Sequence, residues 1–87
     1  METVVLTRTK RNRLETLNAI LTTSAKGVKK THIMYRANLS HQQLEKFLEF
    51  LTSKGLLVKE GNYYNTTNKG LIFIEEFGKI QSLMSVS

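Results

Sequence analysis

Residues 31–55 read THIMYRANLSHQQLEKFLEFLTSKG, and this stretch decides the fold of the 87-residue chain. It contains two helical patterns that meet at Asn38, Leu39 and Ser40. Asn is one of the few residues besides Gly that tolerate the left-handed conformation that ends helices, and Ser is a strong N-cap for the next helix. Two helices joined by so tight a turn, the second longer than the first, predict a helix-turn-helix.

Apolar spacing gives an inner face to each of the two helices. The first is predicted to begin at Thr31, whose hydroxyl can cap it, and to place Ile33, Met34 and Ala37 on its inner face. The second is predicted over residues 40–54. Its inner face consists of four residues at helical spacing: Leu44, Phe47, Leu48 and Leu51.

The N-terminal side of this pair predicts an extended or flexible lead at residues 1–9, followed by a helix from about Lys10 to Ala25. Val28 and Lys29 suffice only for a short edge strand. The inner stripe of the predicted helix consists of Leu14, Leu17, Leu21 and Ala25.

On the C-terminal side, strand-forming residues at 56–60 and 63–66 flank Gly61 and Asn62, a pair typical of a two-residue hairpin. A last helix is predicted over residues 67–84. A helix-turn-helix followed directly by a hairpin is the order of a winged helix. We therefore expect an α+β, mainly α fold: a winged helix-turn-helix domain at 10–70 with a two-stranded wing, and a C-terminal helix at 67–84 that serves the core and dimerisation.

The net charge of +6 is placed unevenly along the chain. Residues 1–44 carry eight Lys and Arg against two Glu, whereas residues 45–87 carry five of each. Such asymmetry indicates a polyanionic partner.

The residue types that the chain lacks exclude several kinds of chemistry. It has no Cys and no Asp, so disulfides, thiolate metal sites and thiol nucleophiles are excluded, and no HExxH or phosphate-loop spacing occurs. We therefore expect no enzyme, cofactor, metal or small-molecule ligand. No apolar run approaches the ~20 residues of a membrane span, and the run at 4–6 is too short for a signal-peptide core. We expect a cytoplasmic, nucleoid-associated protein.

Four pieces of the sequence go beyond a generic pattern. They are GVKKTHIMYRANLS at 27–40; Gln43-Leu44 with Phe47-Leu48 and Leu51; Gly55-Leu56-Leu57; and Tyr64-x-x-Thr67-x-Lys69-Gly70. Together they resemble the archaeal winged-helix family that includes the small ten-kilodalton chromatin-associated DNA-binding proteins of Sulfolobales, over roughly residues 10–77. The resemblance implies a double-stranded DNA-binding domain that dimerises through antiparallel C-terminal helices. Because the last helix ends near Met84, we expect a compact dimer rather than a long rod.

In a helix-turn-helix, the first turns of the second helix meet base edges in the major groove. Gln can hold adenine through two hydrogen bonds, and Lys can reach guanine or a phosphate. Glu45 and Glu49 on the same helix repel phosphates, which argues against a deep, uniform embrace of the backbone. A solvated helix surface is the alternative for this face. The predicted reading residues are Ser40, His41, Gln42, Gln43 and Lys46.

Basic residues around this helix are predicted to hold the DNA backbone. Four of these basic residues cluster around the start of the first helix, where the helix dipole disfavours cations. An external anion therefore explains this cluster better than local helix stability does. A solvated or disordered tail is the alternative for them. The backbone set is Arg8, Lys10, Arg11, Arg13, Lys29, Lys30, Thr31, Tyr35 and Arg36, and the wing adds Lys59 and Asn62.

The last helix carries apolar residues beyond the reach of one small domain. Exposed apolar patches usually mark an interface, and a homodimer would place two recognition helices on one duplex. The predicted dimer residues are Phe77, Ile80, Leu83 and Met84. The leading hypothesis is a homodimeric transcription regulator. The alternatives are an architectural protein that coats DNA with low specificity, and a winged helix that binds another protein.

Overall fold

The computed structural model describes residues 12–85. The predicted lead at 1–9 and the first residues of the predicted first helix, 10 and 11, lie outside the described residues. The described part contains four α-helices and three strands. In chain order they are α1 (Arg13–Thr23), β1 (Val28–Lys29), α2 (Lys30–Ala37), α3 (His41–Ser53), β2 (Leu57–Glu60), β3 (Tyr63–Thr66) and α4 (Asn68–Ser85).

Helix α1 begins where a reciprocal capping pair forms. The Asn12 side chain accepts the Glu15 backbone N–H at 2.8 Å, and the Glu15 carboxylate accepts the Asn12 N–H at 3.2 Å. Two of the N–H groups that a helix start leaves without partners are therefore satisfied. The helix ends in a short 3-10 turn, Ser24–Lys26, before Gly27 takes a positive φ of 82°.

The inner face of α1 differs from the predicted stripe. Leu17 and Leu21 are buried as expected, but Leu14 and Ala25 are exposed. Leu14 lies in the first turn, beyond the edge of the core, and Ala25 lies in the 3-10 turn, which breaks the helical period. The positions that share the buried face are Leu17, Ile20, Leu21 and Ser24.

The helix-turn-helix forms as the sequence predicts. Asn38 adopts the left-handed conformation, with φ 57° and ψ 52°, at the end of α2. Ser40 and Gln43 then form a capping box, since the Ser40 hydroxyl accepts the Gln43 N–H at 3.2 Å and the Gln43 side chain accepts the Ser40 N–H at 2.9 Å. The expectation that Thr31 caps α2 is wrong. The N-cap position is Lys29, which makes no side-chain capping hydrogen bond.

The three strands form one antiparallel sheet in the order β1-β3-β2. Strands β2 and β3 are the predicted two-stranded wing, with Glu60 opposite Tyr63 across a two-residue turn. Gly61 has a φ of 63°, and this first central position is the one that a type II′ hairpin turn gives to Gly. The short edge strand β1 pairs with β3 through Val28 and Tyr64 and widens the wing to three strands.

The start of α4 is attached to the end of α3 by the residues of the Tyr-x-x-Thr-x-Lys-Gly motif. The Thr67 hydroxyl donates to the Gly55 carbonyl at 2.6 Å and accepts the Gly70 N–H at 3.1 Å. The Lys69 ammonium donates to the Lys54 carbonyl at 2.9 Å. A Cβ at position 70 would overlap the Leu56 carbonyl oxygen, so only Gly fits there.

The core lies between the helices and one face of the sheet. Phe73 and Ile74 of α4 pack against it and are partly buried. The fold is therefore the expected mainly α winged helix-turn-helix with an additional C-terminal helix. The fully buried apolar side chains of the core are Ile20, Leu21, Ile33, Leu44, Leu51 and Leu57.

Candidate nucleic-acid interface

The predicted reading residues lie on the exposed face of α3. This face is opposite the side on which Leu44, Leu48 and Leu51 enter the core. Gln42 and Lys46, four residues apart, share it. The exposed residues at the start of the helix are Ser40, His41, Gln42 and Gln43, and Lys46 is exposed one turn later.

Two of these residues also have a structural function. The Ser40 hydroxyl and the Gln43 amide oxygen are both used by the capping box that starts α3. The Gln43 amide NH₂ group and the whole Gln42 side chain are not used by that cap. The structure thus separates the start of the reading helix into a capping pair and the outward residues Gln42 and Lys46.

The predicted backbone residues of α2 lie at its N-terminus and along its exposed side. Thr31 and Arg36 are exposed, and Tyr35 is 79% exposed. In β1 the Lys29 ammonium lies 5.9 Å from the centre of the Tyr63 ring, a cation–π contact. A shallow groove joins these elements, and its lining consists of Gly27, Val28, Lys29, Thr31, His32, Tyr35 and Tyr63.

Glu45 connects α2 to α3 through its carboxylate. The Lys30 ammonium donates a hydrogen bond and forms an ion pair with Glu45 Oε2, and His41 Nε2 lies 3.5 Å from the same oxygen. The hydrogen bond from Lys30 is the main cause that lowers the pKa of Glu45, and the charges of Lys30, His41 and Lys59 lower it further. The same hydrogen bond raises the pKa of Lys30.

The wing lies beside α3. The Lys59 ammonium lies 6.0 Å from the centre of the Tyr64 ring, and Asn62 is exposed in the turn at the tip. The Asn65 amide donates to the Glu60 carboxylate at 2.9 Å, a contact that joins the two strands of the wing. A groove separates α3 from the wing, and its polar lining residues are Glu45, Glu49, Thr52 and Lys59.

Arg13 has a partner within the domain. Its guanidinium lies 4.9 Å from the centre of the Phe50 ring and 5.7 Å from that of Phe47, both on α3. Cation–π contacts to α3 therefore give this cation a partner within the domain, and its predicted contact with an external anion stays a prediction. The other predicted backbone residues at this end of the chain, Arg8, Lys10 and Arg11, lie outside the described residues.

Sequence reasoning missed two of these contacts and could have found a third. The Lys30–Glu45 pair is 15 residues apart, and the Arg13–Phe50 contact joins different helices, so no local period reveals either. The capping box had a readable signal, since a Ser followed three residues later by a Gln is its usual spacing.

Helix α4 presents an apolar surface to solvent. Phe77 is partly buried and stacks on Phe73 with ring centres 6.2 Å apart. Ile80 is 57% exposed, and Leu83 and Met84 are more than three-quarters exposed. Ile72, eight residues before Ile80 and on the same side of the helix, is also 57% exposed.

Membrane-spanning helices and clustered metal-binding side chains are both absent from residues 12–85. Residues 12–85 contain no helix with the length and apolar character that crossing a membrane requires. The same part of the chain holds no group of three or more His, Cys, Asp or Glu side chains arranged to bind a metal ion.

An exposed polar helix in a helix-turn-helix, flanked by a hairpin wing, defines the winged-helix class of domains. The profile of the winged helix-turn-helix family matches residues 10–85, and the chain belongs to this family. Among solved structures it is similar to Sso10a-2, a DNA-binding protein from Sulfolobus solfataricus. That similarity has a TM-score of 0.70 and 28% sequence identity over 85% of each chain. No curated protein matches the sequence significantly.

Proposed function

We propose that this protein binds double-stranded DNA as a homodimeric, archaeal-type transcription regulator, with α3 of each subunit in a major groove. The observation that carries the proposal is the exposed polar face of α3, where Gln42 and Lys46 project from a helix that is anchored in the core. Gln and Lys are suited to base edges and phosphates. Membership of the winged helix-turn-helix family and similarity to a DNA-binding protein support the proposal.

In this proposal the phosphate contacts surround α3. Lys29, Lys30 and Arg36 of β1 and α2 hold the backbone on one side, and Lys59 and Asn62 of the wing hold it on the other. Thr31 and Tyr35 add polar contacts beside the α2 cations, and Arg13 contributes from its position on Phe50. Such contacts set the register on the duplex, whereas Gln42 and Lys46 supply base discrimination. The protein then resides on the nucleoid in the cytoplasm.

The dimer in this proposal forms through α4. Ile80, Leu83 and Met84 are highly exposed in a single subunit, and an apolar surface of this kind favours burial against a partner. Phe77 continues the same face toward the core. A two-fold axis that relates the two α4 helices would present two recognition helices to one duplex, which is the arrangement that palindromic sites require.

A competition experiment tests the proposal and separates it from an architectural role. A labelled genomic fragment selected by the protein is bound and then competed with random duplex DNA. A regulator is expected to prefer its site by about 10³-fold or more. A ratio near one would contradict the regulator and support a DNA-coating protein. Failure to bind any duplex at low salt would leave the protein-binding winged helix as the better description.

A further inference from the structure

The Glu45 carboxylate lies where basic side chains from three elements converge. Lys30 comes from the N-terminus of α2 and pairs with it directly. His41 comes from the first turn of α3, with Nε2 3.5 Å from the same oxygen. Lys59, from the wing strand β2, lines the same groove between α3 and the wing as Glu45, and its charge lowers the pKa of Glu45. One internal anion therefore occupies the space between α2, α3 and the wing.

Lys30 and Lys59 are among the groups that hold the DNA backbone in the proposed complex, and His41 is one of the predicted reading residues beside them. A carboxylate and a phosphate oxygen satisfy a Lys ammonium in the same way, through charge-assisted hydrogen bonds. Lys30 cannot give its full charge to a phosphate while Glu45 Oε2 accepts its hydrogen bond. The Glu45 carboxylate thus occupies the Lys30 ammonium in the same way that a DNA phosphate would.

A DNA phosphate can replace the Glu45 carboxylate as the partner of Lys30 because the Lys30–Glu45 ion pair is exposed. The Lys30 and Glu45 side chains retain 38% and 46% of their exposure, so water and DNA can reach both. Exposed ion pairs contribute little to stability, and opening one costs correspondingly little. Glu45 would therefore reduce the affinity for phosphates without preventing binding.

We propose that Glu45 is an internal competitor for DNA phosphate, which holds Lys30 and His41 in the free protein and thereby sets the strength of backbone binding. This inference rests on the proposed DNA-binding function and concerns the regulation of that same site. In this inference, Glu45 of α3 affects DNA affinity through its neighbour Lys30 rather than through contact with bases.

The test is a double-mutant cycle on binding to a random duplex at low salt. Glu45→Gln keeps the shape of the side chain and releases Lys30, so we expect about three- to tenfold tighter binding and a slope of log K against log salt steeper by about 0.9, the value for one added phosphate contact. In a Lys30→Gln background the same change should alter affinity by less than about twofold, because the Lys30 ammonium that Glu45 holds directly is absent there and only the reduced repulsion of DNA remains.

Glu49→Gln is the matched control. It removes the same charge from the exposed face of the same helix, and within residues 12–85 no ion pair involves Glu49. Any gain from Glu49→Gln comes from reduced repulsion of DNA and should be equal in the wild-type and Lys30→Gln backgrounds. Circular dichroism confirms that each variant is folded.

Two results would overturn the inference while leaving the proposed function intact. One is an unchanged or weaker affinity of Glu45→Gln. The other is a gain of equal size with and without Lys30, which would mean that Glu45 acts only by repelling DNA. If the wild-type chain binds no duplex at low salt, the proposed function itself fails and the inference fails with it.

Discussion

Side chains at the start of α3 divide into those that hold the helix and those that project from it. Ser40 and Gln43 satisfy each other's backbone N–H groups, so their side-chain oxygens are occupied before any DNA arrives. Gln42 and Lys46 lie on the exposed face and are not part of that cap. Among the predicted reading residues, Gln42 and Lys46 are therefore the strongest candidates for base contacts.

Replacing Gln42 and Lys46 together with Ala tests this division. We expect duplex affinity to fall about 10- to 100-fold, because a good bidentate base contact contributes about 1–3 kcal/mol and a phosphate contact is also lost. The free energy of unfolding should change by less than about 0.5 kcal/mol, since both side chains are exposed. Fluorescence anisotropy and urea denaturation measure the two quantities.

The chain offers a matched control for this double substitution. Lys79→Ala with Gln81→Ala removes the same two kinds of side chain from exposed positions of α4. Its duplex affinity should remain within about twofold of the wild type, allowing for the weak general attraction of one Lys. Equal affinities for the wild type and for the α3 variant would show that α3 is not the reading helix.

At the scale of elements, the sequence predicted what local chemistry determines. The left-handed Asn38, the Ser40 cap and the Gly61 turn each use a signal that is contained in a few residues. The predicted inner stripe of α1 is wrong at both ends: Leu14 lies beyond the edge of the core, and Ala25 lies in the 3-10 turn, which changes the period and leaves no mark in apolar spacing.

Side-chain contacts between different elements could not be predicted from the sequence. Lys30 meets Glu45, and Arg13 meets Phe50, only because the core fixes α1, α2 and α3 against one another. The residue types alone gave no reason to pair these groups. The residues of the candidate site were therefore predicted, whereas their contact partners within the domain were not.

The junction between α3 and α4 gives an element-scale prediction. Gly70→Ala places a Cβ against the Leu56 carbonyl oxygen and the Thr66 side chain. The backbone around position 70 must then shift, and overpacking of this kind lowers stability by about 1–3 kcal/mol. We expect the free energy of unfolding, measured by urea denaturation, to fall by that amount.

Gly78→Ala is the control, because it lies in the same helix with open space around its Cα. Ala is a better helix former than Gly by about 0.5–1 kcal/mol, so this variant should be more stable than the wild type. If Gly70→Ala also raised the free energy of unfolding, the close contact between Gly70 of α4 and the Leu56 carbonyl oxygen would be incorrect.

At the scale of the whole molecule, charge and apolar surface occupy different parts of the chain. The +6 excess belongs to residues 1–44, which supply α1, α2 and the start of α3. The neutral second half supplies the rest of α3, the wing and α4, whose far end is apolar and exposed. One part is thus suited to a polyanion and the other to a second copy of the chain.

The proposed dimer predicts the behaviour of Ile80→Glu combined with Met84→Glu. Two carboxylates on the exposed apolar face should make its burial unfavourable and yield a monomer by light scattering, with the fold retained. Leu71→Glu is the control, because Leu71 is also exposed but lies nine residues from Ile80, on the opposite side of the helix. It should remain dimeric, and a dimer that persists in the double variant would contradict this interface.

The salt dependence of the affinity for a duplex is the sharpest test of DNA binding by this winged helix. Each phosphate that the protein neutralises adds about −0.9 to the slope of log K against log salt. With several basic residues around α3, we predict submicromolar binding at low salt and a slope steeper than about −3. Absence of binding at low salt, or an affinity that salt leaves unchanged, would contradict the account.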